Sequence, residues 1–324
     1  MEEMRYGLVG VGHMGREHLT NLAHLRSEGA VVSCISDPHP PSLNLAVDLS
    51  HSLGLAPLPQ VFSGHRELLD SGLCDVVVVS SPNMTHFEIL MDIIQHQKPH
   101  HILVEKPLCT TVQDCQKVME AAKRRPELLV QVGLECCYMP PVAKLIEIVK
   151  SGTLGQVQMI SLREHRYPFP VKVNNWNRFN INTGGTLLEK CCHHFDLMRL
   201  FAGANPVRVM ASGAIDVNHK DEVYNGKVPD IIDNAFVIVE FDNGSRGMLD
   251  LCMFAEGVRN NKEISVVGEL GKGEAFVTES IVRVGMRKTG RRGVQTIKAS
   301  DRRIKYDSFT FISPACSTSY CREQ

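Results

Sequence analysis

Three side chains could carry chemistry in this sequence: Lys106, Glu189 and His193. Glu189 and His193 stand four apart in Thr183-Gly184-Gly185-Thr186-Leu187-Leu188-Glu189-Lys190-Cys191-Cys192-His193-His194-Phe195-Asp196, so on a helix they share one face. A carboxylate so placed can hold one ring nitrogen and leave the other facing a substrate. That fixes the tautomer and raises the imidazole's basicity, as general acid–base work requires. On spacing alone, an ordinary surface Glu–His pair is the simpler account. His194 points about 100° away and is the weaker partner for Glu189. The apolar run Ile102-Leu103-Val104 ends in Glu105-Lys106-Pro107, which puts Lys106 at what reads as the C-terminal tip of a parallel strand. A lysine there can hydrogen-bond a substrate hydroxyl, and burial beside a cation lowers its pKa toward the working range. Pro107 marks a constrained turn, compatible with a cis Lys106–Pro107 bond.

A metal site at Cys191, Cys192, His193 and His194 is disfavoured. Adjacent helical residues diverge, and structural zinc needs four converging ligands. No metal is expected. Cys136-Cys137 reads as small apolar filler.

The elements that must position these groups begin with Arg5-Tyr6-Gly7-Leu8-Val9-Gly10-Val11-Gly12-His13-Met14-Gly15, a buried strand entering a glycine turn and then a helix. Gly10-x-Gly12-x-x-Gly15 has the dinucleotide-binding spacing. Gly10 permits the tight turn, Gly12 lets backbone approach a pyrophosphate, and Gly15 lets helix and strand pack closely. The helix N-terminus, with His13 and Met14 among the candidate contacts, offers N–H groups and a positive dipole end to phosphates. Asp37 ends a second β-branched run, 22 residues beyond Gly15. An acid there can accept hydrogen bonds from the adenosine ribose, and it repels a 2′-phosphate, so NAD is favoured over NADP. Its blander role is to start the turn Asp37-Pro38-His39-Pro40.

Val76-Val77-Val78-Val79 is continuous enough for a strand covered on both faces, and it ends in the polar loop Ser80-Ser81-Pro82-Asn83-Met84-Thr85-His86. Open α/β sheets bind ligands at such strand ends. Strand and helix alternate to about residue 132, with Thr111-x-x-Asp114 opening the last helix as a capping box. Beyond that, long strand-like runs follow with one good helix, Leu187 to about Phe201. The second half is therefore α+β with a largely antiparallel sheet. We expect two domains, a doubly wound Rossmann domain over 1–135 and an α+β domain over 136–324. Ala235 to Phe241 is apolar at nearly every position, which calls for cover on both faces and so for a subunit interface. Arg163 to Tyr167 are expected to help line the pocket, with the inward face left open by alternation alone.

The chain has 324 residues, is 43% hydrophobic, carries a formal net charge of −1 and contains 11 cysteines. Near-neutral charge argues against nucleic acid or anionic lipid as the main partner. No apolar run approaches a membrane span, and the acidic start shows neither a signal-peptide core nor an Arg-rich transit sequence. Scattered cysteines read as reduced thiols in a cytoplasmic protein. Residues 286–305 hold eight Lys or Arg and read as a solvated loop between edge strands.

Together these pieces resemble the glucose-fructose oxidoreductase / inositol dehydrogenase / MocA family. The marks are Gly10-x-Gly12-x-x-Gly15, Ser81-Pro82-Asn83-x-x-His86, Glu105-Lys106-Pro107 and Gly184-Gly185-x-Leu187-x-Glu189-x-x-x-His193-x-x-Asp196. The resemblance implies a Rossmann domain, a C-terminal open-faced sheet that mediates homodimers or homotetramers, and NAD(P)-dependent hydride transfer at a secondary alcohol of a sugar, inositol or related polyol. It makes Lys106 and His193 the catalytic pair and places Glu189 where the family has an aspartate. It also places Ser81, Pro82, Asn83, His86, Glu105, Lys106, Trp176 and Arg178 around the cofactor. The longer Glu189 keeps the charge and shifts its reach. Family members close with a helical segment, whereas this chain ends in polar Ser313 to Gln324, an expected shortened or alternative end. The alternative to an enzyme is an NAD(H)-binding sensor without turnover.

Overall fold

The structure, a computed structural model, describes residues 3–299. The chain divides into two compact units. The first runs through Gly133 and includes Ile181–Gly184; the second holds Leu134–Asn180 and continues from Gly185.

The first unit is built on strands β1 (Met4–Val9), β2 (Ala30–Ser36), β3 (Gln60–Phe62), β4 (Val76–Val79), β5 (His101–Val104) and β6 (Val130–Val132). They alternate with helices α1 (His13–His24), α2 (Pro40–Ser52), α3 (His65–Asp70), α4 (His86–Gln95) and α5 (Val112–Lys123). All six strands are parallel, in the order β3-β2-β1-β4-β5-β6. This is the doubly wound Rossmann order, whose direction of growth reverses between β1 and β4. The four valines of β4 explain why the sheet needs helices on both sides. Val76 and Val78 join one buried cluster with Leu8, Leu19 and Leu22, while Val77 and Val79 join another with Leu90 and Ile93. Thr111 caps α5 as its spacing implies, its Oγ1 accepting from the Asp114 amide at 3.1 Å.

The second unit contains α6 (Pro140–Lys150), β7 (Val157–His165), α8 (Thr186–Ala202), β8 (Pro206–Ala214), β9 (Asn234–Phe241), β10 (Arg246–Cys252), β11 (Lys262–Gly268), β12 (Gly271–Phe276), β13 (Ile281–Met286) and β14 (Gln295–Lys298). The single turn α7 (Asn180–Thr183) precedes α8. The eight strands form one sheet, β14-β13-β12-β11-β7-β10-β9-β8, in which β7 and β10 pair in parallel and every other neighbouring pair is antiparallel. Its inner face packs Ile160, Leu162, Val237, Leu249 and Val266 against Leu145 of α6 and Leu197, Met198 and Phe201 of α8.

Two features differ from expectation. Strands β12 and β13 were not anticipated, because glycines weaken a strand pattern. Gly273 faces α6 so closely that a Cβ would lie 2.6 Å from Leu145, so the glycine is a packing requirement. The basic stretch 286–305, expected as loop, includes a 3₁₀ turn (Gly290–Gly293) and the strand β14; its part beyond Ala299 lies outside the described residues, as does the polar end 313–324. Strand β9 is covered on one face, while Phe236 and Ile238 on the other are 61% and 41% exposed. Among the described residues no helix is long and apolar enough to cross a membrane.

At the β1–β4 switch the backbone leaves no room for side chains. A Cβ on Gly15 would sit 2.1 Å from the Gly10 carbonyl oxygen. A Cβ on Gly10, whose φ is +84°, would meet the Ser81 amide at 2.6 Å. A Cβ on Gly12 would meet no protein atom within 4 Å. Gly15→Ala should therefore lower the melting temperature by about 5 °C or more, the signature of overpacking by 1–3 kcal/mol, whereas Gly12→Ala should stay within about 2 °C of the parent in a calorimetric melt.

Candidate functional site

In the first unit the candidate cofactor residues converge on the carboxyl ends of β1 and β4. The Ser80 hydroxyl donates to the Gly10 carbonyl at 2.7 Å, tying the loop after β4 to the glycine turn. Asp37, directly after β2, starts the turn and also reaches the glycine loop. Oδ1 accepts from the His39 amide at 2.9 Å and closes the turn, while Oδ2 accepts from the Val11 amide at 2.8 Å. The carboxylate is thus fixed against the glycine loop, where a ribose bound beside it would find acceptor lone pairs. Gly12 is the N-terminal boundary of α1, and its open side is where backbone can approach an anion. These residues fit a dinucleotide. His13 and Met14 open α1 beside that gap.

Ser81, Pro82 and Asn83 form the loop after β4, and Asn83 is buried, its amide donating to the Thr183 carbonyl at 3.4 Å. His86 is fully buried. Its Nδ1 lies 2.8 Å from the Pro107 carbonyl and its Nε2 3.0 Å from the Ser81 carbonyl. Burial pushes its pKa down, toward the neutral ring, despite both carbonyls. His86 therefore braces the Ser81 loop against the Lys106–Pro107 turn from behind. That turn is cis. Glu105 is held by His18 of α1, whose Nε2 lies 2.7 Å from Oε1, and its Oε2 accepts from the Lys106 amide at 3.3 Å. Burial alone would raise the Glu105 pKa; His18 and the neighbouring Lys106 hold it below the usual carboxylate value. His18 was missed in the sequence. Its only signal was its place on the glycine-turn helix, three residues past Gly15.

In the second unit, Glu189 and His193 are 6% and 4% exposed, which removes the surface-pair account. Gly184 and Gly185, at φ +79° and +94°, deliver the chain into α8 in a conformation that side chains resist. Glu189 lies in the first turn, where the helix dipole favours a carboxylate. Trp176 is half-buried. Arg178 is buried, and its Nε donates to Glu222 at 3.1 Å.

Below α8 lies an ionic cluster that pattern reading did not resolve. Alternation along β7 turns Glu164 inward, while Arg163 and His165 face outward and pair with Asp250 at 3.0 and 2.9 Å. Glu164 stands directly opposite Lys262 on β11. Its carboxylate lies 3.0 Å from Lys190, 3.3 Å from His194 Nε2, 3.5 Å from Arg166 and 3.7 Å from Lys262. Burial works against that carboxylate, yet His194 and the lysines hold its pKa far below the ordinary range. Cys136, expected as filler, has Lys262 Nζ at 2.8 Å from its sulfur. The ligand atoms of Glu135, Cys136 and His193 all lie within 4.8 Å of one another, a grouping no local spacing revealed.

Comparison with known proteins gives the same two-part organisation. Residues 4–134 match the oxidoreductase-family model for the NAD-binding Rossmann fold, and residues 146–319 match that family's C-terminal alpha/beta domain. A myo-inositol 2-dehydrogenase of Thermotoga maritima is 28% identical over 76% of this chain and 68% of its own length. The rhizopine catabolism protein MocA of Rhizobium meliloti is 26% identical over 78% of this chain and 72% of its own. A levoglucosan dehydrogenase solved with NADH and levoglucosan has the same fold, with a TM-score of 0.79 at 20% identity over 98% of this chain and 86% of that one. With both halves of its fold matched in order, this chain belongs to the Gfo/Idh/MocA family of NAD-binding oxidoreductases.

Proposed function

We propose that this protein is an NAD-dependent dehydrogenase acting on a secondary alcohol of a sugar, inositol or related polyol. The observation that carries the reading is the burial of Glu189 and His193 on one face of α8. A buried imidazole one turn from a buried carboxylate is suited to holding a substrate proton. NAD, when bound, supplies the hydride acceptor. The substrate class follows relatives named inositol 2-dehydrogenase and a structural neighbour holding levoglucosan.

The residue roles follow from chemistry. Gly10, Gly12 and Gly15, with the amides of His13 and Met14, would receive the pyrophosphate. Asp37 would take the ribose hydroxyls, and its charge selects NAD over NADP. Ser81, Pro82 and Asn83 would flank the cofactor, with His86 and Glu105 positioning that loop and the lysine turn; Trp176 and Arg178 are further candidate contacts. His193, oriented by Glu189, would take the hydroxyl proton, and Lys106 would stabilise the oxyanion that develops.

The open face of the sheet supplies a self-association surface. Met210, Ile238 and Met248 form one cross-strand row on β8, β9 and β10, each 39–44% exposed, with Phe236 beside them. We assign this face to a homodimer or homotetramer in a cytoplasmic enzyme.

His193→Ala should lower kcat by about two to four orders of magnitude while NADH affinity changes less than about twofold. Steady-state NADH formation across a polyol and aldose panel, with NADH fluorescence titration, reads both; near-parental turnover sinks the catalytic assignment. Phe236→Asp combined with Ile238→Asp should reduce the light-scattering mass to that of one chain at micromolar concentration, with NADH binding kept. An unchanged mass removes the sheet from the interface.

A further inference from the structure

The cluster beneath α8 is unbalanced in charge. Arg166, Lys190 and Lys262 bring three cations, and Glu164 with the exposed Glu135 brings two carboxylates. Cys136 supplies no further negative charge, because burial pushes its thiol pKa up. Partly buried cations without a full complement of anions are costly, so their retention calls for a counter-charge from elsewhere. The arrangement is also directional. Glu164 and Lys262 lie at the bottom, with side chains 3% and 8% exposed, while Lys190 and Arg166 form the rim at 16% and 18%. The Arg166 Nε–H is buried, has no hydrogen-bond partner among the described residues, and belongs to a donor fork suited to a planar anion.

We propose that the Arg166–Lys190 rim receives an anionic group of the substrate, a carboxylate or phosphate monoester carried by a polyol. This rests on the dehydrogenase reading above, because it names the substrate class of the same site. Lys190 precedes His193 by three residues on α8, a spacing that puts Cβ atoms about 5–6 Å apart. An anion on the rim would thus set a hydroxyl of the same monosaccharide near the imidazole. The competing ligand is a divalent metal at Glu135, Cys136 and His193. The Lys262 ammonium against the Cys136 sulfur opposes it, since a dication would be driven into existing positive charge. The same field attracts an anion.

The test uses the full chain with NADH bound and compares D-glucuronate and glucose 6-phosphate with D-glucose by titration calorimetry. At least one anionic probe should bind about tenfold more tightly than glucose at low salt, and the advantage should shrink as salt rises. Preference for glucuronate alone or for the phosphate alone identifies which anion the rim takes. Lys190→Met and Arg166→Met should each remove most of the advantage, Lys190→Arg should keep it, and NADH affinity should hold in all three. Equal binding of charged and neutral probes, absence of binding by both anions, or an advantage intact in both Met variants overturns the proposal. NADH formation in parallel samples loaded with NAD+ and the same probes separates the two readings. Oxidation of neutral polyols without any preference for acids rejects the anion site and leaves the dehydrogenase. Charge-dependent binding with no reduction of NAD by any substrate in the panel rejects the dehydrogenase and leaves the anion site.

Discussion

The first unit depends on one close approach of backbone to backbone. The Gly10 carbonyl lies where the Cβ of any larger residue at position 15 would stand, and Gly10 itself presses on the Ser81 amide. Only glycine satisfies both contacts, and only with them made can the loops after β1 and β4 lie side by side. The hydrogen bonds follow from that approach. Ser80 donates to Gly10, and Val11 donates to Asp37. The remaining glycine, Gly12, has no described atom within 4 Å of where its Cβ would stand, which leaves that side of the turn open.

The second unit solves a different problem, that of polar groups beneath a helix. Helix α8 carries Glu189, His193 and His194 on its buried side, alongside Leu197, Met198 and Phe201. His194 is accounted for by Glu164, and Glu164 by a ring of cations. The carboxylate is held by several neighbours at once, and the cost of desolvation falls on the whole set.

Most of the fold was legible because its signals are local. The β4 valines, the glycine spacing and the Thr111 cap each occupy a few consecutive residues and have one structural answer. Glu189 and His193 were legible as a pair because helical periodicity alone brings them together. The cluster around Glu164 was not, since Lys262 reaches it across a strand pairing nearly 100 residues away in sequence. Cys136 does lie in the hydrophobic core, as its reading as filler implied, and the same distance in sequence hid the lysine opposite its sulfur. Strand β12 was hidden by glycines that local propensity penalises, although Gly273 packs against Leu145 and Gly271 against Gly285 and Met286.

The pairing of β7 has a consequence for biosynthesis. Its two sheet neighbours, β10 and β11, begin at Arg246 and Lys262, whereas β7 ends at His165. Until those later segments leave the ribosome, a strand bearing Ile160 and Leu162 has neither edge satisfied. At about 5–20 residues per second, the wait is roughly 5–20 s. Pairing of β7 is slow for the same reason, because loop-closure entropy must be overcome before such distant partners meet. The N-terminal sheet, whose strands appear nearly in the order they pair, can meanwhile assemble while the slower half is still being made.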